Sequence, residues 1–152
     1  MTLLFNTLGW PSPLEHDNLS RKFFGSVNKV FPLIDEAEVE FIHEELRSKR
    51  SSLISLPRQW LVLFNLLYAI ALQQSFFQGV MPFNRSSEYY GRAQALGLDL
   101  CRHGETCIFS AQILGLSALW LAINDQVERC VKLICSNIYN DLITSIGLPR
   151  TV

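Results

Sequence analysis

Charge is scarce in this sequence. Its 152 residues carry 13 Lys+Arg against 14 Asp+Glu, a formal net charge of −1, and charged residues make up 18 % of the chain. So balanced a chain lacks the basic excess that drives binding to nucleic acid or to an anionic membrane. The glycines are scattered singly, so there is no glycine-rich loop to cradle phosphate. The four cysteines, Cys101, Cys107, Cys130 and Cys135, form no C-x-x-C pair, and no histidine stands at zinc-site spacing from them. They are expected to be reduced, buried thiols of an intracellular protein. The longest apolar run, Trp60 to Leu72, is interrupted by Asn65. As a helix it would rise about 20 Å, short of the roughly 30 Å hydrocarbon core of a bilayer, so a buried core helix is expected and no membrane span. The N-terminus has neither a basic region nor a clean small-residue cleavage site, and is expected to be mature chain of a protein that is not secreted. The sequons at Asn18 and Asn84 then carry little weight.

What is present is apolar surface. Hydrophobic residues are 49 % of the chain, enough to exclude intrinsic disorder, and the length suits a single domain over 1–152. The periodicity predicts helices throughout. After Pro13 the stripe Leu19, Phe23, Val27 and Val30 has a period of 3.6 until Pro32 stops it. Asp35 opens a second helix with Glu38 as its capping-box partner and Val39, Ile42 and Leu46 on one face. Its acids come first and Arg47, Lys49 and Arg50 last, an order that suits the helix dipole without invoking a nucleic-acid or import signal.

Pro57 suits the first turn of a third helix, apolar nearly all round and running to about Phe76. A fourth is expected from about Ser86 to Arg102, with His103 in its last turn and Gly104 just past its end. A fifth, from about Glu105 to Ile123, carries the small residues Ala111, Gly115, Ala118 and Ala122 on one stripe. Ala93 and Gly97 offer a counterpart on the fourth helix, a pairing that would let two axes approach closely. A sixth, Asp125 to Ile146, presents Val127, Val131, Ile134, Ile138 and Leu142 on one face and ends at Gly147 and Pro149. The reading is all-α: about six helices packed as antiparallel hairpins.

Chemistry is harder to find. His43-Glu44-Glu45 lacks the second histidine of a metalloprotease helix, and Gly115-Leu-Ser117-Ala-Leu119 lacks the last glycine of a nucleophile elbow. His16 and Asp17 could form an acid–base cluster with His43 if the first two helices paired, although residues at helix starts are ordinarily solvated. Trp60, Phe64, Tyr68 and Trp120 could line a ligand pocket, with core packing the ordinary role of such rings. No catalytic, cofactor-binding or metal-ligating residue is assigned from the sequence, and no cofactor is expected.

Four stretches, taken in order, resemble the fungal-specific transcription factor domain, the middle homology region of fungal zinc-cluster regulators. Phe23-Phe-Gly-Ser-Val27-Asn-Lys-Val30-Phe31-Pro32-Leu33-Ile34 looks like that family's opening helix and its aromatic-Pro-apolar turn. Leu61 to Leu72 is similar to its apolar third helix. Tyr89-Tyr90-Gly-Arg92-Ala93-Gln-Ala95-Leu96 is similar to its Tyr-rich, Arg-Ala helix. Gln112-Ile-Leu114 through Trp120-Leu121, followed by Val127 to Gly147-Leu148, resembles its Gln-apolar helix and the next helix closing in Gly-Leu. The likeness spans about residues 19–150.

The resemblance implies a nuclear regulatory domain that works through protein partners or further helices of the same regulator and could sense a small-molecule effector; self-association is expected only if missing helices leave an apolar face exposed. Two departures qualify it. None of the four cysteines has the spacing of the family's six-cysteine zinc cluster, so no direct nucleic-acid binding is expected. Where the family reads Gly-Leu-His-Arg and continues into more helices, this sequence reads Gly147-Leu148-Pro149-Arg150 and closes two residues later. The likeness therefore covers the first half of the domain, and an apolar side of the third or sixth helix is expected to be partly exposed. The alternatives are a helical interaction scaffold unrelated to transcription, and a small biosynthetic enzyme or ligand-binding protein built from such a fragment.

Overall fold

Ser12 and Pro13 start the first helix as their chemistry dictates. The Ser12 hydroxyl accepts from the Glu15 backbone N–H at 3.2 Å, and Pro13 occupies a first-turn position where its missing N–H costs nothing. The computed structural model describes residues 10–48, 56–77, 83–98, 108–124 and 132–136. Among these are six helices: α1 (Pro13–Gly25), α2 (Val27–Val30), α3 (Glu36–Arg47), α4 (Arg58–Phe77), α5 (Phe83–Leu96) and α6 (Ile108–Ile123). Residues 132–136 form a further helical turn, and no described residue lies in a strand. The fold is all-α. No helix among the described residues is long and apolar enough to cross a membrane.

The apolar stripe expected to run unbroken to Pro32 divides at Ser26, whose hydroxyl donates to the Lys22 carbonyl at 2.6 Å. Leu19 and Phe23 are buried, whereas Val30, beyond the break, is exposed. Asn28 organises the turn that follows. Its side-chain amide donates to the Ile34 carbonyl at 2.9 Å, while its oxygen accepts from the backbone of Leu33 and Ile34. Asp35 then caps α3 as expected, accepting from the Ala37 N–H at 3.0 Å.

Element contacts centre on α4, against which α1, α5 and α6 all pack. Every side chain from Trp60 to Gln73 is buried except the half-buried Leu61, which explains why this segment is apolar nearly all round. The apolar side expected to be partly exposed on this third helix is therefore covered. The sixth expected helix lies outside the described residues apart from 132–136. There Cys135 is an exposed free thiol, not a buried one. Cys101, Cys107, Cys130, His103 and Gly104 also lie outside the described residues.

Two expectations about the later helices are corrected. The fourth helix ends at Leu96, not at Arg102, because Gly97 takes φ +102° and its N–H closes the last turn onto Ala93 and Gln94. Gly97 is thus a helix-terminating residue and not part of a small-residue packing face. On α6 the stripe of small residues faces away from the core. Ala111 and Ala122 are exposed, while Ile113, Leu116, Ser117, Trp120 and Leu121 form the buried side. Burial followed the larger apolar side chains, which remove more area from water. Gly115 lies against Leu33, whose methyl carbons would stand 3.2 Å from an added Cβ. Gly97→Ala is expected to destabilise the fold by about 1–2 kcal/mol, the cost of a left-handed backbone for an L-residue. The Arg58 guanidinium also occupies the space an added Cβ would take. A urea titration of both proteins checks this, and equal midpoints would contradict it.

Candidate functional site

Where α1 and α3 meet, the fold brings together two histidines separated by 26 residues of sequence. The His16 and His43 rings stack with centroids 3.4 Å apart and planes 5° from parallel. His16 lies one turn into α1, on the face that also carries the buried Leu19, Ser20 and Phe23. His43 shares its face of α3 with the buried Val39 and Leu46. Both rings are therefore carried inward by the apolar stripes on which they sit.

Polar groups on three helices surround the pair. The Tyr68 hydroxyl, from α4, lies 2.7 Å from His16 Nδ1 in a wholly buried hydrogen bond. Glu40, one turn before His43 on α3, places Oε1 3.4 Å from His16 Nε2, and this carboxylate is half exposed. Ser20 donates to the same Oε1 at 2.8 Å, fixing the carboxylate from α1. Trp10 and Tyr89 pack edge-on against the Tyr68 ring at 5.6 and 5.5 Å. The Arg92 guanidinium lies 4.9 Å from the Tyr89 ring centre. Close by, Glu15 and Arg85 form an ion pair that ties α1 to α5.

Burial sets the electrostatics. It lowers the His16 pKa, with Glu40 opposing the shift. It also brings His43 down to about 4, aided by the facing His16 ring and by Arg47, and resisted by Glu40 and Asp17. Burial, helped by Tyr89, holds the Tyr68 hydroxyl well above its usual value, so it stays protonated. At neutral pH both imidazoles are consequently neutral, each with one ring nitrogen able to accept a proton or bind a metal. His16 Nε2 is buried and makes no hydrogen bond. His16, Glu40 and His43 each offer one ligand atom, all within 4.8 Å of one another.

The structure thus brings together part of the sequence-level cluster and replaces its acid. His16 and His43 meet through side chains that reach across the junction of α1 and α3. Asp17, however, is exposed and influences the rings only through its charge. Glu40 takes its place. The available signal was the i, i+3 spacing of Glu40 and His43, which puts both on one helix face. Trp60, Phe64, Tyr68 and Trp120 are core residues; the Tyr68 hydroxyl and ring and the Phe64 ring border His16, with ring centroids 5.8 and 6.1 Å from the imidazole.

Tyr68→Phe tests the hydrogen bond from the protein side. It leaves the rings in place and strands a buried imidazole nitrogen, so a loss of about 1–3 kcal/mol is expected in chemical denaturation. A loss below about 0.5 kcal/mol would mean that water or another group replaces the hydroxyl.

A second feature lies at the N-terminal end of α3. Pro32, Leu33, Asp35, Glu38, Phe109 and Gln112 help line an open cleft of about 490 Å³ between the α2–α3 turn and the start of α6. Phe31, just before it, and Ile108, on its rim, are exposed large apolar residues. Comparison with known proteins leaves these geometries to speak for themselves: no protein-family profile, curated protein or solved structure matches the chain.

Proposed function

We propose that this chain is a regulatory or interaction domain of a fungal transcription factor, acting in the nucleus without a DNA-reading zinc cluster of its own. The observation that carries the reading is the order of four sequence stretches, Phe23 to Ile34, Leu61 to Leu72, Tyr89 to Leu96 and Gln112 to Leu121. Together they follow the layout of the fungal regulatory domain. An all-α fold is compatible with that reading. The exposed apolar residues Phe31 and Ile108 beside the cleft support a role in binding other proteins. A small-molecule effector and self-association remain part of the proposal. Direct contact with nucleic acid does not, because the chain has no basic excess.

The test is to express the full chain with a fluorescent tag in a filamentous fungus and, separately, fused to a heterologous DNA-binding domain upstream of a reporter. Nuclear accumulation together with a change in reporter output supports the proposal. Exclusion from nuclei overturns it and leaves the helical scaffold unrelated to transcription. The exposed apolar residues at the cleft favour that second reading equally, since they call for a partner without specifying a compartment. Turnover of a small molecule by the purified chain, abolished by changing a cleft residue, would move the protein into the enzyme class instead.

A further inference from the structure

We propose that His16, Glu40 and His43 form a binding site for a divalent transition-metal ion of zinc type that clamps α1 to α3. The donor set is two imidazoles and one carboxylate, which suits a borderline cation better than calcium or magnesium. The distances point the same way. His16 Nε2 and Glu40 Oε1 are 3.4 Å apart, too far for a good hydrogen bond. That separation equals the edge of a tetrahedron with metal–ligand bonds near 2.0–2.1 Å, about 3.3–3.4 Å.

The surroundings are those of a prepared site. When His16 Nδ1 carries the proton and donates it to the Tyr68 hydroxyl, the lone pair of the buried Nε2 faces the carboxylate; in the other tautomer Tyr68 donates to Nδ1 and the Nε2–H points to Glu40. A lone pair facing a carboxylate oxygen is repulsive until a cation lies between them. The Tyr68 hydroxyl can accept from or donate to Nδ1 and so serves either tautomer, an ion taking the first, while the Ser20 hydroxyl orients Glu40. These are the outer contacts that metal-ligating histidines and carboxylates ordinarily possess. The half-exposed Glu40 side chain gives an ion a route from solvent. One movement is required. Parallel rings 3.4 Å apart cannot both aim an in-plane lone pair at one ion. Loading therefore tilts His43 out of the stack, and water or another small donor completes the coordination.

The experiment uses the full 152-residue chain, stripped with a chelator and titrated with zinc chloride by calorimetry at neutral pH. Thermal melts and imidazole NMR signals are followed in parallel. One ion per chain, a melting temperature that rises with zinc concentration, and shifts of the His16 and His43 signals are expected. Glu40→Gln keeps the hydrogen bond from Ser20 and is half exposed, so it is expected to fold. It should weaken zinc binding by more than the roughly 10- to 100-fold typical of losing an outer contact. Ser20→Ala should fall within that range. The proposal is overturned if millimolar zinc gives neither heat nor a melting shift, or if Glu40→Gln binds as tightly as the parent. It is equally overturned if the cobalt(II)-loaded chain shows a thiolate charge-transfer band, which would assign the ion to cysteine.

Discussion

Replacing Trp120 with alanine is expected to cost about 3–5 kcal/mol, the range for removing a large buried aromatic side chain. This one residue joins three helices. Its ring stacks on Tyr90 of α5 with centroids 3.9 Å apart and planes 7° from parallel. Its indole N–H donates to the Ser86 hydroxyl at 3.0 Å, and Ser86 in turn donates to the Ala69 carbonyl of α4 at 2.7 Å. The substitution would empty the space between α6 and α5 and leave the Ser86 oxygen without its donor. Domains of this size are stable by only about 5–15 kcal/mol, so the variant should unfold at markedly lower urea, as read by the loss of helical circular dichroism. Trp120→Phe keeps part of the ring contact while losing the N–H donor and one of the two fused rings. A loss of about 1–3 kcal/mol is expected for it. Equal losses for the two variants would show that the hydrogen bond, and not the stacked ring, dominates.

Stability should also fall steeply in mild acid. In the folded chain His43 titrates at about 4, whereas an unfolded histidine titrates near 6.5. Between those values the unfolded chain holds a proton that the folded chain refuses, so stability rises with pH across this window. The contribution is fully present above about pH 6.5, declines as pH falls, and levels out below about 4. A difference of that size is worth on the order of 3 kcal/mol. His16 shifts in the same direction, so its contribution is lost on the same side. The physical cause is shared: neither buried ring can gain charge cheaply, and two cationic rings stacked face to face would repel. Urea midpoints of the metal-free chain between pH 4 and 7.5, with His43→Gln as the comparison, measure the effect. A parent and a variant with the same pH slope would show that His43 is not the group responsible.

Much of the architecture was legible because short-range chemistry dictates it. Ser12 with Pro13, and Asp35 with its acidic first turn, start helices where capping chemistry requires them. Leu61 to Leu72 had to be surrounded, being apolar on every side, and α4 is the helix that the others contact. The errors arose where two local rules competed. Gly97 was read as a small residue within a helix, yet its freedom at positive φ ended that helix. The small stripe on α6 suggested a close helix pair, but the larger side chains on the opposite face took the core. Spacing could place Ala111, Gly115, Ala118 and Ala122 on one side without saying which side would be buried.

The candidate site was only half visible. The sequence suggests His16 and His43 as partners on the condition that the first two long helices meet, but with Asp17 as their acid. Glu40, which shares a helix face with His43 through a three-residue spacing, and Tyr68, on another helix, are not singled out by it. Their meeting depends on how α1, α3 and α4 pack, and packing is settled by the sum of many apolar contacts rather than by any local signal. Composition and capping thus determined an all-α chain with a heavily apolar central helix and little net charge. Tertiary packing alone decided that two histidines would stack in a buried setting, that a tyrosine hydroxyl would orient one of them, and that Glu40 rather than Asp17 would be their acid. The reason is range: helix formation is governed by neighbours within a turn, whereas a site built from three helices exists only once their faces have met.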